Sequence, residues 1–114
     1  MTTWRRGDVV LVPIDFTDRS GTKRRPAVVV CGDRYNAAAP DVMIASITCN
    51  LQAVSHSGDL PLADWRAAGL LRPSLVQAKI ATVEATLGER RLGALSRRDL
   101  AALDRGRREA LALP

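Results

Sequence analysis

The 114-residue chain has only two cysteines, Cys31 and Cys49, too few for a disulfide scaffold. It has one histidine, His56, and no CxxC pair, so the ligand set of a structural zinc site is missing. Both cysteines lie in apolar runs, VVVCG and ASITCN, and are expected to act as small buried hydrophobes. Aromatic residues make up 4% of the chain, so any core has to be built from Val, Leu, Ile and Ala. No apolar stretch approaches the length that crosses a bilayer, which excludes a transmembrane helix. The N-terminal stretch MTTWRRGDVVLVP lacks a small-residue cleavage site, and Asp15 interrupts its apolar run. No secretory signal is expected, and the cytoplasm is the expected compartment.

What the chain does have is arginine: 15 of them against two lysines, with a net charge of +5. A guanidinium presents a planar fork of donors that matches phosphate, where an ammonium offers a point charge. The excess is divided. Residues 1–34 carry +3, residues 35–88 carry −1, and residues 89–114 carry +3. Basic ends on a chain of this size suit an acidic partner such as RNA, DNA or an acidic peptide, or reflect compositional drift toward Arg and Ala. The length predicts a single domain over 1–114.

Hydropathy patterning predicts short strands. Val9 to Phe16 reads as the first, with Pro13 demanding an edge or a bulge. TDRSGTKRR over 17–25 reads as an exposed loop, and Pro26 to Cys31 as a buried strand. Gly32 to Pro40 reads as a loop with room for one helical turn, and Val42 to Thr48 as a third strand. A weak strand is expected around Ala53-Val54 and a turn at Ser57-Gly58-Asp59. A short helix is expected over Leu62 to Ala68, stopped by Gly69. Ser74 to Val83 and Arg90 to Leu95 supply further strands.

The clearest element is a C-terminal helix. Ser96 is its expected N-cap, with Asp99 three residues on as a capping-box partner. Leu100, Leu103, Arg107 and Leu111 recur along one face, with arginines on the others. Short strands closed by one terminal helix predict a sheet that curls on itself into a compact, partly open barrel.

Five ordered segments carry a family resemblance. They are GDVVLVP, FTDRSGTKRRPAVVV, VMIASIT, GDLPLADWRAAGLLRPSLVQAKIATVE and RRLGALSRRDLAAL. Together, from Gly7 to about Leu111, they resemble the MazF/PemK family of toxin endoribonucleases. The resemblance implies a mainly β fold with a C-terminal α-helix, an SH3-like barrel of the PemK/CcdB type. It implies a homodimer that cleaves single-stranded RNA without a metal or other cofactor. It also implies a cognate antitoxin that lays a disordered segment across the RNA groove.

RNA carries its own nucleophile, the 2′-hydroxyl. A protein that aligns this oxygen with phosphorus and stabilises the more negative transition state can break the chain without activating water. Arg25 is the candidate cation. By position alone it is a phosphate-binding guanidinium or a solvated loop charge of the KRR run, braced by Pro26 in either case. The resemblance implies that it is catalytic, because the family's catalytic arginine directly precedes this proline. Thr48, ending the apolar run Met43 to Ile47, matches a catalytic Thr or Ser of the family; otherwise it is a β-former in a strand. Lys23, Arg24, Gln77 and Lys79 flank the motifs and are expected RNA contacts.

The sequence also departs from the family pattern. Ser20 stands near the place of a first-loop glutamate. Gln77 replaces a late-strand arginine, with no carboxylate beside it. General acid and base are left unassigned, with Asp18 and His56 as titratable candidates. Trp65 is expected to anchor its segment on the barrel, with base stacking as the alternative. A CcdB-like gyrase-binding toxin and a non-catalytic nucleic-acid-binding barrel are the rival functions; the RRP and SIT motifs resemble the nuclease branch.

Overall fold

Valine and isoleucine dominate the chain's apolar runs, and their branched side chains favour the extended backbone. In the computed structural model, which describes residues 4–15, 22–52 and 58–114, they form an antiparallel sheet. The strands are β1 (Asp8–Asp15), β2 (Thr22–Val29), β3 (Asp41–Thr48), β4 (Leu60–Pro61), β5 (Leu75–Glu84) and β6 (Arg90–Ala94). Their spatial order is β4-β5-β3-β2-β1-β6. Two α-helices, α1 (Asp33–Ala38) and α2 (Arg97–Ala110), and a 3-10 turn at Ala85–Leu87 complete the described elements. The mainly β fold with a C-terminal helix, a curled and partly open barrel, is as expected.

Because side chains alternate along a strand, the sheet buries both faces. Val9, Val28, Ala45, Ile47 and Val76 share one core with Leu103 of α2 and with Leu62 and Ala68. Val10, Val12, Ala27, Val29, Val42 and Ile44 share the other with Cys31 and Ala85, and Trp4 packs against it. Trp65 packs on the first core, as anticipated, with the Arg66 guanidinium 4.7 Å above its ring.

Pro13 obeys its constraint in an instructive way. β1 pairs with β2 from Val9 to Asp15, but with β6 only from Asp8 to Leu11. At Pro13 one side of β1 is therefore an edge, where the missing N–H costs nothing.

Several expectations are refined or corrected. The segment 17–25 is not all loop, because β2 begins at Thr22 and pairs Arg24 with Pro13 and Arg25 with Val12. The Gly32–Pro40 loop contains a six-residue helix, α1. Its Asn36 is buried, with Nδ2 donating to the Cys31 carbonyl and Oδ1 accepting from the Cys31 thiol. Cys31 is buried as expected, but Cys49 is exposed.

The helix expected over Leu62 to Ala68 is reduced to a single capped turn. The amides of Gly69 and Leu70 donate to the carbonyls of Arg66 and Trp65, a Schellman closure with Gly69 at φ +80. Asp99 anchors this turn. Its carboxylate accepts from the amides of Ala63 at 3.0 Å and Asp64 at 2.8 Å, binding the start of this segment to α2. Ser96 does cap α2, accepting from the Asp99 amide at 3.3 Å, but the Asp99 side chain serves the neighbouring segment instead of closing a box. The Ala53-Val54 strand and Ser57 of the expected turn lie outside the described residues.

Candidate functional site

Arg25 owes its position to the sheet. It lies inside β2, opposite Val12, with Pro26 next to it opposite Leu11. The β2–β3 register runs through Ala27 opposite Ser46. Continued by two residues, it sets Pro26 opposite Ile47 and Arg25 opposite Thr48. Antiparallel register thus joins two residues 23 apart in the chain.

Both line one cavity of about 490 Å³. Its floor is an apolar row crossing four strands: Ile47 of β3, Pro26 of β2, Leu11 of β1 and Leu92 of β6. Arg90, which faces Leu11 in the β1–β6 ladder, stands at the far side. From Thr48 on β3 to Arg90 on β6 is roughly 14 Å, three spacings of about 4.8 Å. Arg72 and Ser74, from the connection leading into β5, complete the polar lining with Thr48 and Cys49.

The electrostatics of this lining are one-sided. Three arginines, Arg25, Arg72 and Arg90, line the cavity, and no carboxylate is among its described lining residues. Four other arginines are paired: Arg6 with Asp104, Arg24 with Glu89, Arg91 with Asp8 and Arg98 with Asp64. Arg72 and Arg90 find no carboxylate among the described residues. Three cations around an apolar floor form an anion receptor, with flat surface for a base beside them.

The hydroxyl of Thr48 is oriented. Its oxygen accepts from the Asn50 amide at 3.1 Å, which leaves the hydroxyl proton available to a second acceptor. Asn50 in turn accepts from the Gln52 amide at 3.2 Å, tightening the turn. Ser74 is held by donation from its hydroxyl to the Arg72 carbonyl at 2.8 Å.

The other expected contacts are placed differently. Arg24 donates from Nε to both oxygens of Glu89 at 2.6 Å, and this hydrogen-bonded carboxylate raises its pKa. Gln77 is half-buried, and its main-chain carbonyl accepts from Arg107 at 3.4 Å. Lys79 is exposed on β5. Neither Gln77 nor Lys79 lines the cavity. The side chain of Lys23 and all of Asp18, Ser20 and His56 lie outside the described residues.

Sequence reasoning missed Arg72, Arg90, Ser74 and Cys49. One signal was present: Arg72 immediately precedes Pro73, as Arg25 precedes Pro26, and in both cases the ring restrains the backbone carrying the guanidinium. Arg90 had no such signal, because only the strand order brings β6 to this side.

Solved structures share this fold. An endoribonuclease from Mycobacterial species superposes with a TM-score of 0.78 at 17% identity, covering 100% of this chain and 96% of that one. The MazE–MazF complex from Deinococcus radiodurans gives 0.76 at 17% identity, covering 99% and 100%. A Mycobacterial endoribonuclease in complex with its cognate antitoxin gives 0.74 at 20%, covering 100% and 98%. No curated protein matches the sequence. At such identities these likenesses speak for the fold alone. The sequence match is to a family description, it spans residues 5–111, and by it the chain belongs to the PemK-like, MazF-like toxins of type II toxin–antitoxin systems.

Proposed function

We propose that this protein is a toxin endoribonuclease that cleaves single-stranded RNA by transesterification. The observation that supports it most is the meeting of Arg25 and Thr48 in a cavity that three arginines line, with no carboxylate among its described lining residues.

The chemistry follows from that lining. The ribose 2′-oxygen attacks the adjacent phosphorus and loses its proton, and the P–O5′ bond breaks. The departing 5′-oxygen takes up a proton, leaving a 2′,3′-cyclic phosphate and a 5′-hydroxyl. Arg25 binds the non-bridging oxygens as negative charge grows on them, and the Thr48 hydroxyl donates to one of them. Arg72 and Arg90 hold phosphates of the flanking nucleotides. Lys23 and Arg24 precede Arg25 in β2, and we propose that their charges add to the attraction of RNA. Gln77 and Lys79 lie outside the cavity and are proposed only as contacts for an RNA that extends beyond it.

In this reading the chain works as one domain, as a homodimer in the cytoplasm, and a cognate antitoxin restrains it by covering the groove. The antitoxin complexes among the structurally similar proteins support that partner. Among the described residues no helix is long and apolar enough to cross a membrane.

The test is incubation with single-stranded RNA and excess chelator, beside a 2′-deoxy copy. Cleavage of the ribose strand alone, abolished by Arg25→Ala, is expected. Salt-dependent binding that leaves RNA intact would establish a non-catalytic barrel, and cleavage of the deoxy copy would overturn the mechanism.

A further inference from the structure

Leu71 stands almost wholly in solvent. It is 93% exposed, where the next large apolar side chain among the described residues, Leu113, is 55% exposed. Yet Leu71 also lines the cavity that holds Arg25 and Thr48. Its apolar companions there lie lower: Ile47 is buried, and Leu11, Pro26 and Leu92 are half-buried in the floor. Leu71 is therefore an apolar post at the rim.

The backbone beneath it is held on both sides. The amides of Gly69 and Leu70 donate to the carbonyls of Arg66 and Trp65 at 3.0 and 3.1 Å, and Leu70 packs on the first core. On the other side Pro73 restrains Arg72 toward an extended backbone. The Ser74 hydroxyl donates to the Arg72 carbonyl at 2.8 Å, and the Ser74 carbonyl accepts from the Leu62 amide at 2.9 Å. A leucine on so short a tether has little backbone freedom to lose when it meets a ligand. An exposed leucine is ordinary by itself. One fixed at the rim of an arginine-lined cavity is placed to touch what the cavity binds.

The proposed reaction needs such a group. The 2′-oxygen has to enter opposite the departing 5′-oxygen. In a stacked strand it lies to the side of that bond, so the nucleotides joined by the phosphate have to be turned apart. Arginine contacts to phosphates fix the backbone and leave base stacking untouched. Apolar side chains, leucine among them, part stacked bases by sliding between them and covering the faces they expose.

We propose that Leu71 is this wedge, entering between the two bases that flank the scissile phosphate. Arg25 holds that phosphate, and Arg72, the chain neighbour of Leu71, holds the next. One base then lies on the floor of Ile47, Pro26, Leu11 and Leu92, and the other packs on the outer side of Leu71. Unstacking costs little in a single strand and more in a duplex, where pairing is lost as well. The wedge thus restricts cutting to unpaired RNA.

This inference rests on the endoribonuclease reading above and assigns the residue that shapes the substrate. The test uses a short RNA in which the wild-type cut is mapped. Two uncleavable copies carry a 2′-deoxy sugar at the cut, with 2-aminopurine in place of one or the other flanking base. 2-Aminopurine brightens when it loses its stacking partner. Wild type is expected to brighten at least one copy. Leu71→Ala is expected to bind both copies as tightly without brightening either, and to cleave the RNA roughly 10–100-fold more slowly in single turnover. Leu71→Met, again long and apolar, restores brightening and rate. Leu87→Ala, at an exposed leucine outside the cavity, changes neither. Leu71→Ala should melt with wild type, because its side chain is in solvent. Failure of wild type to brighten either copy, equal brightening by Leu71→Ala, or equal cleavage rates overturns the wedge alone. RNA left intact by wild type sinks the endoribonuclease reading and the wedge with it.

Discussion

The Asn50 amide donates to the Thr48 hydroxyl oxygen at 3.1 Å, fixing the rotor at the end of β3. With one lone pair engaged, the O–H is the group left to face a phosphate. Thr48→Ser keeps this arrangement and is expected to stay within a few-fold of wild-type kcat. Thr48→Val keeps the shape and loses the donor, and kcat is expected to fall roughly 10²–10³-fold. Single-turnover cleavage of a short RNA reads both. Equal losses in the two variants would mean that the side chain only packs.

Among the described residues Arg72 and Arg90 have no carboxylate partner, so on the proposed mechanism their charges serve RNA. Each substitution by Ala is expected to weaken binding and to reduce the slope of log affinity against log salt by about 0.7, the value for one phosphate contact on a single strand. Titration of a 2′-deoxy strand at several salt concentrations measures it. Arg105→Ala, on the exposed side of α2, should leave the slope alone.

Gly69 sits at φ +80, and a β-carbon there would lie 2.0 Å from the Leu92 carbonyl oxygen. Gly69→Ala therefore strains the backbone and pushes β6 away from the turn that leads to Arg72. A loss of more than about 5 °C in Tm is expected. Gly32→Ala, where nothing lies within 4 Å of the added carbon, is the matched control and should melt with wild type.

Acid should loosen the start of α2. Hydrogen bonds from Arg98 and Ser96 hold the Asp64 carboxyl down to about 2, below its ordinary 3.8. A carboxyl depressed in the folded state contributes stability that is complete above its unfolded value and is lost as pH falls from near 4 toward 2. Asp64→Asn should flatten this acid limb in denaturant unfolding followed by circular dichroism. High salt should flatten it too, because the pair is solvent-exposed.

Several elements were legible because their signals are local. Alternating or continuous β-branched runs marked β1, β3 and β5, and Ser96 marked the start of α2. Gly69 was read correctly as a stop, although the helix it was to end is a single turn. Asp99 ties the start of that turn to α2 through the Ala63 and Asp64 amides, a tertiary contact that propensity cannot see. The start of β2 was hidden because Thr22 to Arg25 are polar and extended only through pairing with β1. At the candidate site, Arg25 and Thr48 were found through family resemblance. Arg90 was not, since only the strand order β2-β1-β6 brings it near. Cys49 was misjudged because its apolar neighbours end one residue before it, where the strand ends.

Arg25 stands on a strand hydrogen-bonded to β1, although the residues before it read as loop. Its amide should therefore exchange with solvent on the timescale of whole-sheet opening, slower than amides of the turn at Asn50 to Gln52. On the proposed mechanism, the phosphate-binding group and the turns around the groove are mechanically separate. Drift in the turns around the groove can then retune which nucleotides are accepted while the guanidinium that meets the phosphorus keeps its place.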